Sequence, residues 1–107
     1  MMVYEIRLEK SFIKRMDNMA KLFNLENAEA QEVREIIVDA IGLLSLGMSL
    51  PEDYADHKLE REPWYNYHEF HILDDLLVVY YRIDKKQRIR MVTITNHEEL
   101  ASGKLQN

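Results

Sequence analysis

The sequence predicts one α+β domain over residues 1–107, with an N-terminal strand and two helices packed on one face of an antiparallel, mostly C-terminal β-sheet. Three observations predict it. Between Ser11 and Leu44, apolar residues recur at spacings of three and four, as one face of a helix requires. From about residue 58 the period falls to two, and valine, isoleucine and tyrosine dominate. Only short turns separate these later runs, so neighbouring runs pair as antiparallel hairpins.

Each element has its own signal. "MVYEIRL" alternates apolar and polar residues, with Val3, Ile6 and Leu8 available to a core. Ser11 is placed to cap a helix in which Phe12, Met16, Met19 and Phe23 share one face. Asn27 can cap a second helix, where Val33, Ile36, Ile37, Ala40, Ile41 and Leu44 form a wide apolar stripe. Gly47 is placed to end it in the left-handed conformation. Pro51 opens a loop or short helical turn, and strands follow at about 58–62, 66–73, 76–83 and 87–95. Asn66 suits a positive φ before the second of these, Asp74-Asp75 makes the next tight turn, and "DKKQ" the last. Two helices cover one face of such a sheet, and the other face is at least partly open to solvent.

Composition narrows the function. No apolar run approaches the length of a membrane span. "MMVYEIRLEK" lacks the apolar stretch of a signal peptide. The absence of cysteine removes disulfides and thiolate metal sites and fits a cytoplasmic location. The net charge of -5 argues against a broad nucleic-acid surface. Its distribution is uneven, because "RIDKKQRIR" sets Arg82, Lys85, Lys86, Arg88 and Arg90 against Asp84 alone. Such an island can hold phosphate locally, or it can be the solvated charge of a hairpin.

The stretch from Tyr65 to Ile83 places two histidines three residues apart in a strand, so they point to opposite faces. His68 shares parity with Phe70 and Ile72, the expected core side. His71 shares the other with Tyr67 and Glu69. Arginine avoids a core, so Tyr80 and Arg82 are expected to join His71 on the open face. Arg88 and Arg90 share one parity with Val92 and Ile94, a conflict that a bulge near residue 93 would resolve. A histidine, tyrosines and arginines on one face, with Asp75 at a strand start and His57 and His97 in flanking segments, suit phosphodiester chemistry. RNA supplies its own nucleophile, the 2′-hydroxyl. A base removes its proton, an acid protonates the leaving 5′-oxygen and a cation stabilises the transition state. Two other readings stand beside this one. In one the groups simply decorate a solvated sheet; in the other His57, His71, Asp75 and His97 ligate a metal, which no short ligand spacing supports.

Several separated motifs then occur in one order: "LPEDYADHKL", Trp64 and Asn66 in W-x-N, "HEFHILDD", "VVYYRI" and "TITNHEEL". Together they run from Leu50 to Leu100 and resemble the RelE/ParE superfamily of bacterial toxins, in particular its YafQ branch. The resemblance implies a small ribosome-dependent endoribonuclease, a toxin of a type II toxin–antitoxin system that cuts mRNA in the ribosomal A site without a metal or other cofactor. It implies silencing by a cognate antitoxin in a hetero-oligomer. It places the family's functional residues on His57, His71, Asp75 and His97. His57 and His97 would transfer protons, Asp75 and His71 would orient or assist, and Arg82, Arg88 and Arg90 would bind substrate. Leu76, Val78 and Tyr80 are candidate anchors for the antitoxin. The chain departs from the family pattern at His68, Leu76, Thr93, Thr95 and Ala101. At Thr93 the family keeps an arginine, which Arg82 or Arg90 would have to replace. The loss of that cation and the acidic total leave an alternative, a ParE-like or catalytically weakened toxin that acts by binding a protein target.

Overall fold

A computed structural model describes residues 3–73 and 75–102. Along the chain come β1 (Glu5–Leu8), α1 (Lys10–Asp17), α2 (Met19–Leu22), α3 (Asn27–Ser45), β2 (His57–Lys58), β3 (His68–Ile72), β4 (Leu76–Ile83), β5 (Arg88–Asn96) and α4 (His97–Ser102). The strands form one sheet in the order β1-β5-β4-β3-β2. β2 to β5 pair antiparallel as the short turns require, and β1 joins the free edge of β5 in parallel. The fold is α+β, and the mixed sheet comes from that edge strand.

The local signals map closely, with instructive shifts. Gly47 (φ 73°) and Asn66 (φ 72°) adopt the left-handed conformations their side chains favour. The "DKKQ" turn is a 3-10 turn ending at left-handed Gln87 (φ 49°). Asp74 lies outside the described residues; the turn around it includes Leu73 at φ 58°. The strand predicted at 58–62 is only His57–Lys58. Ser11 does not cap α1. The helix starts one residue past Glu9, whose N–H already donates to the Met91 carbonyl at 3.0 Å, so Ser11 falls in the first turn. There its hydroxyl lies 2.7 Å from Thr93 Oγ1 in a buried contact. The predicted first helix is interrupted at Asn18 and becomes α1 and α2, while Phe12 and Met19 still face the core.

One core lies between the helices and the sheet. Ala30, Val33, Ile37, Ala40 and Leu44 of α3 meet Phe70, Ile72, Leu76, Val78, Tyr80, Ile89, Met91 and Ile94 of the strands. Each Val, Leu, Ile, Phe or Met side chain among them contributes about 1.5–3 kcal/mol on burial. Val79 pairs with Thr93 and Tyr80 with Met91, so Val92 is an extra residue, a β-bulge. It switches the parity of β5. Ile89 and Met91 face the helices before it and Ile94 after it, which leaves Arg88 and Arg90 on the other face.

The expectation for β4 was wrong. Tyr80 is fully buried and has the parity of Leu76 and Val78, toward the helices, and Arg82 continues that parity. A phenol with a hydrogen-bond partner can enter a core. Arg82 can follow because it sits near the strand end, where its guanidinium reaches Tyr4 Oη at 3.2 Å and pairs with Asp84 at 3.2 Å. Leu76, Val78 and Tyr80 are core residues and therefore not antitoxin anchors. The opposite face carries Glu69, His71, Leu77, Val79, Thr93 and Thr95, which register places side by side.

Candidate active site

The site begins in the core. Tyr80 donates its hydroxyl to the Asp56 carboxylate, 2.7 and 2.8 Å from the two oxygens. Burial, then that carboxylate, pushes the phenol far above its ordinary pKa, so it remains a donor. This bond pins the chain beside His57, just after Ala55 has turned it through a left-handed φ of 49°. Tyr54, also in this turn, packs against Phe70 with ring centroids 5.8 Å apart. β2 then pairs with β3 so that His57 stands directly opposite Glu69.

His57 lies between two acceptors. Its Nδ1 is 2.7 Å from the Ala55 carbonyl oxygen, and its Nε2 is 3.0 Å from Glu69 Oε1. A carbonyl accepts only, so Nδ1 donates. Nε2 and an ionised carboxylate would then present lone pairs to each other. The contact is an ion pair when the imidazole is protonated. Glu69 is nearly buried, and its Oε2 has no hydrogen-bond partner among the described residues. His71, two residues on and on the same face, has Nε2 3.9 Å from Glu69 Oε1. Its ring centroid is 6.0 Å from that of His57 and 5.3 Å from that of His97.

His97 opens α4. Asn96 Oδ1 accepts the Glu99 N–H at 2.9 Å, an N-cap, and Glu99 pairs with the buried Arg15 of α1 at 2.7 Å. Asn-x-x-Glu is the sequence signal for this helix, which the strand-based reading overlooked. Asp75 Oδ1 lies 2.9 Å from His97 Nδ1 and 3.4 Å from its backbone nitrogen. Those hydrogen bonds hold the Asp75 carboxyl below its usual pKa. The carboxylate is therefore ionised at neutral pH and accepts from Nδ1, which leaves Nε2 as the ring nitrogen not held by Asp75.

His57, His71, Asp75 and His97 thus come together on one face. The arginines do not. Arg82 is on the opposite face, Arg88 pairs with Glu5 at 2.9 Å, and Arg90 pairs with Glu9 at 2.9 Å and lies over the Tyr81 ring. Thr93 is buried against Ser11, so the position of the family arginine has no open path to the site. Two features were missed. Glu69 was placed beside His71 without a role, although its parity and the β2 pairing mark it. A groove of about 490 Å³ is lined by His57, Lys58, Arg61, Trp64, His97 and Leu100, among others. It brings Arg61 beside two of the histidines, and Trp64 Nε1 donates to the Leu100 carbonyl at 3.0 Å. The four-residue metal set is not assembled, since Asp75 and His97 bind each other. A different trio, His57, Glu69 and His71, has its ligand atoms within 4.8 Å of one another.

The fold is similar to those of known toxins. A metal-bound toxin from Helicobacter pylori superposes with a TM-score of 0.71 at 25% identity, over 91% of this chain and 98% of that one. A copper-bound mutant toxin from the same organism gives 0.71 at 26% identity, over 91% and 98%. YafQ from E. coli strain BL21(DE3) gives 0.65 at 20% identity, over 91% and 97%. No curated protein matches the sequence. The model of the family described as the bacterial toxin of type II toxin–antitoxin system, YafQ, matches residues 4–102, and the chain belongs to that family.

Proposed function

We propose that this toxin is a ribosome-dependent endoribonuclease that cleaves mRNA in the A site by metal-independent acid/base catalysis, with His57 and His97 as the proton-transfer groups. One observation carries the reading: the His57 and His97 rings lie 6.0 and 5.3 Å from the His71 ring, and each is held at Nδ1 by an acceptor, which leaves Nε2 to move the proton. His97, oriented by Asp75, offers a lone pair and suits the base. His57, whose Nε2 faces the Glu69 carboxylate at 3.0 Å, suits the acid. His97 takes the proton of the 2′-hydroxyl, the 2′-oxygen bonds to phosphorus, and the P–O5′ bond breaks as His57 protonates the departing oxygen. The products are a 2′,3′-cyclic phosphate and a 5′-hydroxyl. Arg61 in the groove supplies positive charge where the phosphate's negative charge grows, and His71 assists from the strand.

The partners follow from the family. E. coli YafQ, 20% identical, is known in a complex with the antitoxin DinJ, and this chain is assigned a cognate antitoxin in a hetero-oligomer. Expression without it is expected to arrest growth by stopping translation in the cytoplasm. Among the described residues no helix is long and apolar enough to cross a membrane. The engagement of Arg82, Arg88 and Arg90 in internal ion pairs favours the second reading, a toxin that binds a protein target without cleavage.

A leaving-group substitution tests the acid assignment. A message in which sulfur replaces the 5′-oxygen at the cut site needs no proton on departure. His57→Ala is expected to regain cleavage on it and His97→Ala is not; the reverse pattern exchanges the roles, and rescue of neither removes His57 as the acid.

A further inference from the structure

We infer that Trp64 is a positioning residue for His97: its indole N–H ties α4 to the segment that carries His57 and so sets the spacing of the two histidines across the groove. The tie stands on its own geometry, and its consequence for cleavage rests on the nuclease reading above.

α4 does not hold His97 in place by itself. It has six residues, and a helix this short persists in water only through tertiary contacts. Its first turn is held toward the sheet and α1. Asp75 meets the His97 ring, Thr95 Oγ1 donates to Glu99 at 2.7 Å, and Arg15 pairs with the same carboxylate at 2.7 Å. Asp75, Thr95 and Arg15 all lie outside the 57–64 wall of the groove. The Asp75–His97 contact is also exposed on both sides, where an ion pair holds weakly.

Trp64 reaches across from that wall. The groove has the chain from His57 to Trp64 on one side and His97, Leu100 and Ala101 on the other. Trp64 Nε1 donates to the Leu100 carbonyl at 3.0 Å in a partly buried contact. The last four carbonyls of a helix have no intrahelical donor, and Leu100 is among them here, so the indole supplies a partner that α4 lacks. The indole is itself braced. Tyr67 packs edge-on against it, with ring centroids 5.5 Å apart and planes at 89°, and Tyr81 packs against Tyr67 at 5.0 Å. Tyr81 stands on β4 and Tyr67 directly before β3, so the brace runs to the sheet. Loss of the N–H frees the second turn of α4 to pivot about the Asn96 cap, and His97 moves with it. A misplacement of about 1 Å is enough to cost on the order of 100-fold in rate.

Trp64 is the sole tryptophan of the chain, so expression in a tryptophan auxotroph fed the benzothiophene analogue of tryptophan changes this residue alone. Sulfur then replaces the N–H while the ring shape is kept. Amide exchange in α4 should speed up by about 2- to 10-fold, the factor that one net hydrogen bond is worth, while exchange in α3 stays as in the parent. In cleavage of a translated message, kcat should fall by about 10- to 100-fold with KM unchanged. The same replacement in the His97→Ala protein should cost less than about twofold, because two changes that act through one group are not additive. An equal cost in both backgrounds marks a general structural loss and overturns the positioning role. Unchanged exchange in α4 overturns the tie. Trp64→Phe, which also lacks the donor, should repeat both effects and decides the matter if the analogue-containing protein does not fold. If the parent cuts no message, the catalytic consequence falls with the nuclease reading, and the exchange still decides the tie.

Discussion

Asp75 holds His97 by two contacts from one oxygen, 2.9 Å to ring Nδ1 and 3.4 Å to the backbone nitrogen. The pair joins the turn before β4 to the start of α4, so the orientation of the ring depends on a residue 22 positions away in sequence. Both side chains are exposed, so little stability depends on the pair. Asp75→Asn keeps an acceptor but loses the charge. Cleavage should fall ~10- to 100-fold, below the ~100- to 10,000-fold of a lost acid or base itself, with the melting temperature nearly unchanged. Unaltered cleavage would separate Asp75 from the chemistry.

Tyr80 acts on His57 through Asp56. Tyr80→Phe keeps the ring in the core and removes the donor. The expected cost is about 1–2 kcal/mol in urea unfolding. Cleavage should fall mainly in kcat, because the His57 ring loses its fixed position while the groove is unchanged. An altered KM with normal kcat would place the effect on binding instead.

Thr93→Arg tests whether the family arginine can simply be restored. Thr93 is fully buried and in contact with Ser11. An added guanidinium overpacks that position and lacks a partner there, which should cost about 2–4 kcal/mol. Cleavage should fall with stability, and a stable variant that cuts faster would show that the side chain finds a way out.

The Arg15–Glu99 pair makes stability depend on pH. The hydrogen bond from Arg15, and then that from Thr95, hold the Glu99 carboxyl below its ordinary 4.5. A depressed folded-state value gives stability that is present above 4.5 and lost as pH falls through the folded value. Glu99→Gln should therefore cost about 1–3 kcal/mol at pH 7, leaving Arg15 poorly compensated, and much less near pH 3. Urea unfolding at the two pH values measures it. An equal cost at both would mean that the charge of Glu99 does not matter.

Much of the fold was legible because its signals are local. The α3 stripe from Val33 to Leu44, Gly47 and Asn66 each depend on a few neighbouring residues. The bulge at Val92 was legible only as a conflict, since Arg88, Arg90 and Ile94 cannot share one face of an unbroken strand. Tyr80 and Arg82 were misplaced because burial of a phenol depends on Asp56, 24 positions away, which no periodicity reveals. Strand parity placed His71 and a turn placed Asp75, while His57 and His97 were left in segments beside the sheet until the family resemblance gave them roles. Glu69 escaped because its role appears only when β2, expected at 58–62 but formed by His57–Lys58, sets His57 opposite it. The parallel addition of β1 to β5 likewise has no local signature.

Primer extension on a message under translation, with purified parent, His57→Ala and His97→Ala proteins of matched stability, tests the central claim most directly. The parent should give discrete cuts that require ribosomes, and each alanine variant should reduce their intensity by ~100-fold or more, as loss of a general acid or base does. Cuts of equal intensity in all three would reduce these histidines to surface residues, and a parent that arrests growth without cutting would leave the protein-binding toxin as the account.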